Sequence, residues 1–252
     1  MDRDTTSPAR IAQTLDRGLQ VLEAVARSGD PLTVAAAADA VGLDRTVAHR
    51  LVSTLALRGY LHRDASGGYR LGPTCLALAS AITDLRTIAH PFLERLARDT
   101  GETVHVVVLS GREVVFIDGV ESTHTLRVTA RTGRLLPAHA TSVGKAWLAA
   151  LPDGRVDELY GKAELAAVTD RTITDRAELA RELETIRRRG YATSAGESEV
   201  GVGSVAVAVC NPAGEPRAGL SIALPLDRWS PSFERHAVEQ LIEVADTLGA
   251  DL

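Results

Sequence analysis

Lysine and cysteine are almost missing from this 252-residue chain. Lysine occurs only at Lys145 and Lys162, and cysteine only at Cys75 and Cys210. Two cysteines without a C-x-x-C neighbour exclude a disulfide framework, a thiolate metal knuckle and a dithiol redox motif. Aromatic residues make up 4 % of the chain, so Ala, Val and Leu must fill the core. No apolar run approaches the roughly 18 residues that read as a membrane-spanning helix. The opening segment MDRDTTSPAR has no apolar signal core. These absences predict a soluble cytoplasmic protein with no membrane partner. A strong charge of one sign is also missing. Residues 1–70 carry nine Arg against eight Asp and Glu, a net of +1, which leaves −6 for the remainder of a chain whose total is −5. Charge alone therefore decides neither for nor against nucleic acid. The composition is an ordinary globular one, 45 % hydrophobic and 24 % charged, and the length allows two small domains.

Helical spacing organises the first third. Leu15, Leu19, Leu22 and Val25 step along one face of a predicted helix from Ile11 to Arg27, which SGDP stops. A second helix follows, with Thr33 as its N-cap and Gly42 as its stop. A third begins after Asp44, which caps it and favours the positive helix end. Its Ala48, Leu51, Val52 and Leu55 form a buried stripe at i, i+3, i+4, i+7. The other face carries Arg45, Thr46, Val47, His49, Arg50 and Ser53. That mixture suits a DNA major groove: Arg reaches guanine or phosphate, hydroxyls bond either, and methyls touch thymine. YLHRDASGGYRLG then reads as a β-hairpin, Leu61 to Arg63 and Tyr69 to Leu71, with Arg63 and Arg70 placed to reach phosphates. Two short helices, a Gly-containing turn and a hairpin make a winged helix-turn-helix. A plain three-helix bundle with solvated arginines is the rival. His49 has no second metal ligand at helical spacing.

The rest of the chain reads as mixed α+β. Pro73 to Ala89 is expected to be a linker helix and His90 to Gly101 a separate helix, with Pro91 in its first turn. ETVHVVVLS, REVVFIDGV and TLRVTA read as strands. A helix is expected from Thr141 to Ala150, ended by Pro152, and another across DRAELARELETIRRRGY. Ser204 to Cys210 and Ala218 to Leu224 flank the turn NPAGEP. A last helix buries Val238, Leu241, Ile242, Ala245 and Leu248. Hairpin-length connections point to an antiparallel sheet with helices.

The stretch ATSVGKA, residues 140–146, invites three chemical readings. Ser142 and Lys145 have the S-x-x-K spacing of serine acylases and share a helix face. The S-D-N-like and K-T-G-like elements that such enzymes need downstream are missing. A phosphate loop needs Gly at 139 and Ser or Thr at 146, and the chain has His139 and Ala146. His105, His124, His139 and His236 show no metal spacing. A carboxylate cradle fits better: a helix start offers free N–H groups and a positive dipole end, and Thr141 and Ser142 add hydroxyls. No cofactor, metal or catalytic residue is expected.

Two long stretches carry a family resemblance. PLTVAAAADAVGLDRTVAHRLVSTLALRGYLHRDASGGYRLG is similar to the DNA-binding domain of the isocitrate lyase regulator (IclR) family of bacterial transcription factors. Thr46-Val47-Ala48 stands where that family commonly has Ser-Thr-Val. HPFLERLARDTGETVHVVVL, LPAHATSVGKAWLAALP, IRRRGYATSAGESEVGVGSVAVAV and GLSIALP resemble, in order, its effector-binding domain. The resemblance implies a GAF-like domain that binds a small molecule and has no enzymatic activity, and dimers or tetramers on a palindromic operator. By position it implies Ser142, Val143, Ala195, Ser204 and Ser221 as effector contacts. A cysteine is common where Ser204 stands, and of the family's acidic run only Glu197 and Glu199 remain. The expected layout is residues 1–72 for DNA, 73–89 as linker and 90–252 for a carboxylate or aromatic-acid effector and for oligomerisation. The rivals are a Ser142–Lys145 hydrolase and a C-terminal domain that only dimerises.

Overall fold

The structure, a computed structural model, describes residues 12–79 and 83–252. Two compact units divide between Thr83 and Asp84.

The first unit contains α1 (Gln13–Arg27), α2 (Val34–Val41), α3 (Arg45–Leu57), a hairpin of β1 (Leu61–Arg63) and β2 (Tyr69–Leu71), and α4 (Pro73–Ala79). Val21, Val25, Ala37, Val52 and Leu61 form its core. The expected stripe on α1 is displaced. Gly18, Val21 and Val25 are buried, whereas Leu15 and Leu19 are 64 % and 48 % exposed. Gly18 faces Leu51 of α3, so the buried face of the helix runs through Gly18, Val21 and Val25. α2 starts at Thr33, whose hydroxyl accepts from the Ala36 N–H (3.2 Å). It stops at Gly42, whose φ of 69° is left-handed. Leu61 pairs with Leu71 and Arg63 with Tyr69. Leu32 bridges Tyr69 on the other side, so the wing is tied to the loop before α2.

The second unit is a six-stranded antiparallel sheet with helices on both faces. Its elements are α5 (Thr83–Thr100), β3 (Thr103–Ser110), β4 (Glu113–Val120), β5 (Leu135–Pro137), α6 (Ser142–Ala150), α7 (Arg155–Tyr160), α8 (Arg176–Arg189), β6 (Ala192–Ala195), β7 (Val202–Cys210), β8 (Pro216–Pro225) and α9 (Pro231–Gly249). Strand order is β5-β4-β3-β8-β7-β6. Side-chain alternation along each strand sorts residues to opposite faces. Val205, Val207, Val209, Leu220 and Ile222 pack with Leu93 and Leu96 of α5 and Leu241 and Leu248 of α9. Val107 and Ala206 pack with Val143 and Leu148 of α6 and Leu179 and Leu183 of α8. Each fully buried Leu contributes about 1.5–3 kcal/mol relative to exposure.

Three expectations need correcting. The helix predicted to begin at His90 does not: α5 runs from Thr83 through Pro91. The proline removes one N–H from the helix interior, but Ala89, Leu93 and Leu96 are fully buried against the sheet and hold the helix together. Residues 80–82, within the expected linker helix, and Ile11 lie outside the described residues. TLRVTA, residues 125–130, forms no strand. Its backbone is bonded by side chains instead: Thr103 Oγ1 donates to the Val128 carbonyl (2.5 Å), and the Ala130 N–H donates to Glu121 (2.9 Å). Ile242 on α9 is 40 % exposed, and Ala237 and Val244 complete the buried stripe.

Candidate functional site

α3 presents one buried face and one open face. Ala48 and Val52 are buried, while Arg45, Thr46, His49, Arg50 and Ser53 are exposed and Val47 is half-buried. The helix starts where it does because Asp44 Oδ1 accepts from the Thr46 N–H (2.7 Å). That bond, with the Thr46 hydroxyl, holds the Asp44 carboxyl below its ordinary pKa. Among the described residues, no ion pair or hydrogen bond engages the side chains of Arg45, His49 or Arg50. The two wing arginines differ. Arg63 Nε donates to the Gly67 carbonyl (3.1 Å). Arg70 donates to the Gly29 carbonyl (3.2 Å) and lies 3.7 Å from Asp64 Oδ2. Asp64 also accepts from the Ser66 hydroxyl and from the Ser66 and Gly68 N–H groups. The hairpin turn is therefore built by the same residues that were expected to face phosphate.

In the second unit, ATSVGKA lies at the start of α6. Thr141 is its N-cap, and its hydroxyl accepts from the Gly144 N–H (3.0 Å). Gly144 sits against the 3₁₀ turn Ala138–Ala140. A Cβ there would lie 2.2 Å from the Ala138 carbonyl oxygen. The glycine is required for this close approach, which accounts for the Gly-Lys pair without any phosphate. Lys145 is 1 % exposed. Its Nζ lies 2.8 Å from Glu197 and 3.5 Å from Glu182 of α8. Burial raises the Glu197 pKa, against the opposing pull of Lys145. Ser142 turns elsewhere and shares a 2.7 Å hydrogen bond with the Ser204 hydroxyl on β7. The S-x-x-K spacing thus yields two separate contacts, a serine pair and a buried ion pair, and no nucleophile with its base.

The serine pair borders a small cavity between α6 and the sheet, lined also by Ser221, Val143, His105, Phe116, Arg131 and Ser198. Gly219 on β8 makes room for the Val143 side chain: a Cβ there would lie 2.5 Å from it. Of the expected effector contacts, Thr141, Ser142, Val143, Ser204 and Ser221 converge here. Ala195 does not; it is exposed at the end of β6, and its carbonyl accepts from Arg171 (3.4 Å). Six lining residues escaped the sequence reading: His105, Phe116, Arg131, Ser198, Val202 and Ala223. His105 faces Ser221 across the β3–β8 pairing, so strand alternation could have placed it. Phe116 follows from the same rule on β4. Arg131 sits in an irregular segment where no periodicity applies. Burial, with the nearby Arg131 charge, lowers the His105 pKa to about 4. Among the described residues, no cluster of three His, Cys, Asp or Glu could hold a metal ion, and no helix is long and apolar enough to cross a membrane.

Known proteins show the same two-part plan. Residues 14–65 match the IclR helix-turn-helix domain, and residues 77–250 match the C-terminal domain of bacterial IclR transcriptional regulators. The chain is 34 % identical over 230 residues to the transcriptional repressor IclR of Escherichia coli, spanning 88 % of this chain and 84 % of that protein. It is 33 % identical over 235 residues to the regulator XynR of the same organism, spanning 92 % and 93 %. A crystal structure of an IclR-type regulator from Alicyclobacillus acidocaldarius superposes with a TM-score of 0.83 at 26 % identity, covering 95 % of this chain and 98 % of that one. An IclR homologue from Microbacterium hydrocarbonoxydans, solved with 4-hydroxybenzoate, gives 0.76 at 31 % identity, covering 95 % and 98 %. Both halves match in order, and the S-x-x-K stretch is a capped, ion-paired helix start; the chain belongs to the IclR family of bacterial transcriptional regulators.

Proposed function

We propose that this regulator reads a palindromic operator with α3 and is controlled by a small carboxylate or aromatic acid bound in the cavity beneath α6. The observation that carries the reading is the convergence of Ser142, Ser204, Ser221 and a buried Arg131 at the α6 start. A helix N-terminus favours an anion, the arginine adds a full positive charge, and the hydroxyls can orient a polar substituent. The 4-hydroxybenzoate bound to a homologue is an acid of this kind.

On the DNA side, Arg45, Thr46, Val47, His49, Arg50 and Ser53 make the groove contacts, with Arg63 and Arg70 close to backbone phosphate. A homodimer or homotetramer sets recognition helices about one DNA turn, ~34 Å, apart. Residues 1–72 serve DNA, α4 connects, and the second unit binds ligand and oligomerises. The regulated genes are those of a catabolic operon. Ligand acts by shifting populations, to the extent that its affinity differs between the DNA-competent form and the alternative.

Binding of the purified protein to its own promoter region, measured by fluorescence anisotropy with and without a panel of small organic acids, tests this reading. Operator affinity should fall steeply with salt and change with at least one acid. An operator affinity indifferent to salt and to every acid overturns it.

A further inference from the structure

Arg131 is 6 % exposed, yet its carboxylate partner is a surface residue. Arg131 Nη2 lies 2.6 Å from Glu199 Oε2, and the Glu199 side chain is 55 % exposed. Glu199 belongs to the segment between β6 and β7, which Gly196 and Gly201 bracket with φ of 83° and 82°. The inner end of that segment is fastened independently. Glu197 holds Lys145, and the Thr169 and Thr172 hydroxyls donate to the Gly196 and Glu197 carbonyls (2.7 Å each). Glu199 can therefore swing away without loosening Glu197.

Behind this pair, His105 is 1 % exposed and its Nε2 has no hydrogen-bond partner. A buried polar nitrogen without a partner is destabilising, so the site is incomplete as it stands. The Phe116 ring joins the two groups. The imidazole meets it edge-on at 5.1 Å, and the guanidinium lies over it at 5.9 Å. The closed cavity has room for no more than about one water molecule. A ligand must therefore displace protein to enter.

The geometry points to Glu199 as an internal stand-in for the ligand: a hydroxy-substituted small carboxylate replaces it on Arg131 and places its hydroxyl on His105 Nε2. The inference rests on the cavity being the ligand site proposed above. Carboxylate exchanges for carboxylate, so Arg131 never loses its counter-charge, which a buried cation could not tolerate. A hydroxyl satisfies His105 in either tautomer, because it both donates and accepts. Phe116, Val143 and Val202 supply an apolar wall for the carbon skeleton. The released Glu199 returns to water, and the segment bearing it becomes the part of the domain that reports occupancy.

Calorimetric titration of the full-length protein with 4-hydroxybenzoate and lactate, and with the corresponding uncharged amides, tests this. At least one acid should bind, with its amide at least 30-fold weaker. E199Q removes the competitor and should tighten acid binding about tenfold. R131Q should abolish binding, and R131K, which keeps the charge if R131Q folds poorly, should retain a weakened response. Equal affinity in E199Q and wild type, equal binding of acid and amide, or no binding of either acid to E199Q overturns the inference. An amide that binds equally and still shifts operator affinity overturns the stand-in role alone and leaves the sensor reading intact.

Discussion

Two capped helices, α3 and α6, treat polar residues in opposite ways. Each begins with a side-chain oxygen on a backbone N–H, from Asp44 in one and Thr141 in the other. In α3 the polar residues point outward, and its cationic side chains find no partner among the described residues. In α6 every residue from Ser142 to Ala149 is buried, and both Ser142 and Lys145 are paired. A basic residue on an open face is available to an external anion. A basic residue inside the fold must bring its own. The same division separates Arg50, without a partner among the described residues, from Lys145, which is held by Glu197 and Glu182.

The sharpest way to break that contrast is Lys145→Met. Glu197 would lose its buried partner, and loss of one member of a buried pair costs about 3–5 kcal/mol. Urea denaturation should register this in the second unit, and a cost below about 1 kcal/mol would mean the pair is not structural. Acid should single out the second unit next. His105 is folded with a pKa of about 4, against 6.5 for an unperturbed histidine. Its folded pKa is depressed, so the unfolded chain takes up the proton first. Stability is full above about pH 6.5 and declines as pH falls towards 4, by about 3 kcal/mol. His105→Asn should flatten that part of the pH profile.

Arg50→Ala probes the open face. It should weaken operator binding by about 1–3 kcal/mol and leave the melting temperature unchanged, since an exposed side chain without partners holds nothing together. A melting temperature that falls with affinity would erase the distinction between the two helices. The smallest effect is expected at α2, where Thr33→Ala removes an exposed cap and costs about 1 kcal/mol, measurable as a modest shift in the unfolding midpoint.

Local rules made much of the fold legible. The stop at Gly42, the cap at Asp44 and the stripe through Ala48 and Val52 follow from neighbours within one or two helical turns. So do the wing register and the boundaries of α8 and α9. What was illegible depended on distant partners. The buried face of α1 is set by packing on α3, which the α1 sequence alone does not show. The unbroken α5 depended on burial outweighing Pro91. TLRVTA has the composition of a strand but takes its hydrogen bonds from the Thr103 and Glu121 side chains. At the cavity, the serines were found through their segments, whereas Arg131 occupies a stretch with no period to read. Ala195 lies outside the cavity because a β-strand turns alternate residues away, and Ser194 next to it is the buried one.

The burial of Lys145 leaves the surface with a single lysine side chain, Lys162, which is exposed beside Tyr160. Every other side-chain cation is an arginine or histidine. Amine-directed acylation, whether by a reagent or an acetyltransferase, therefore has one side-chain address on this protein, and it lies outside α3. A fluorophore placed there would report on the second unit while leaving the arginines of α3 chemically untouched.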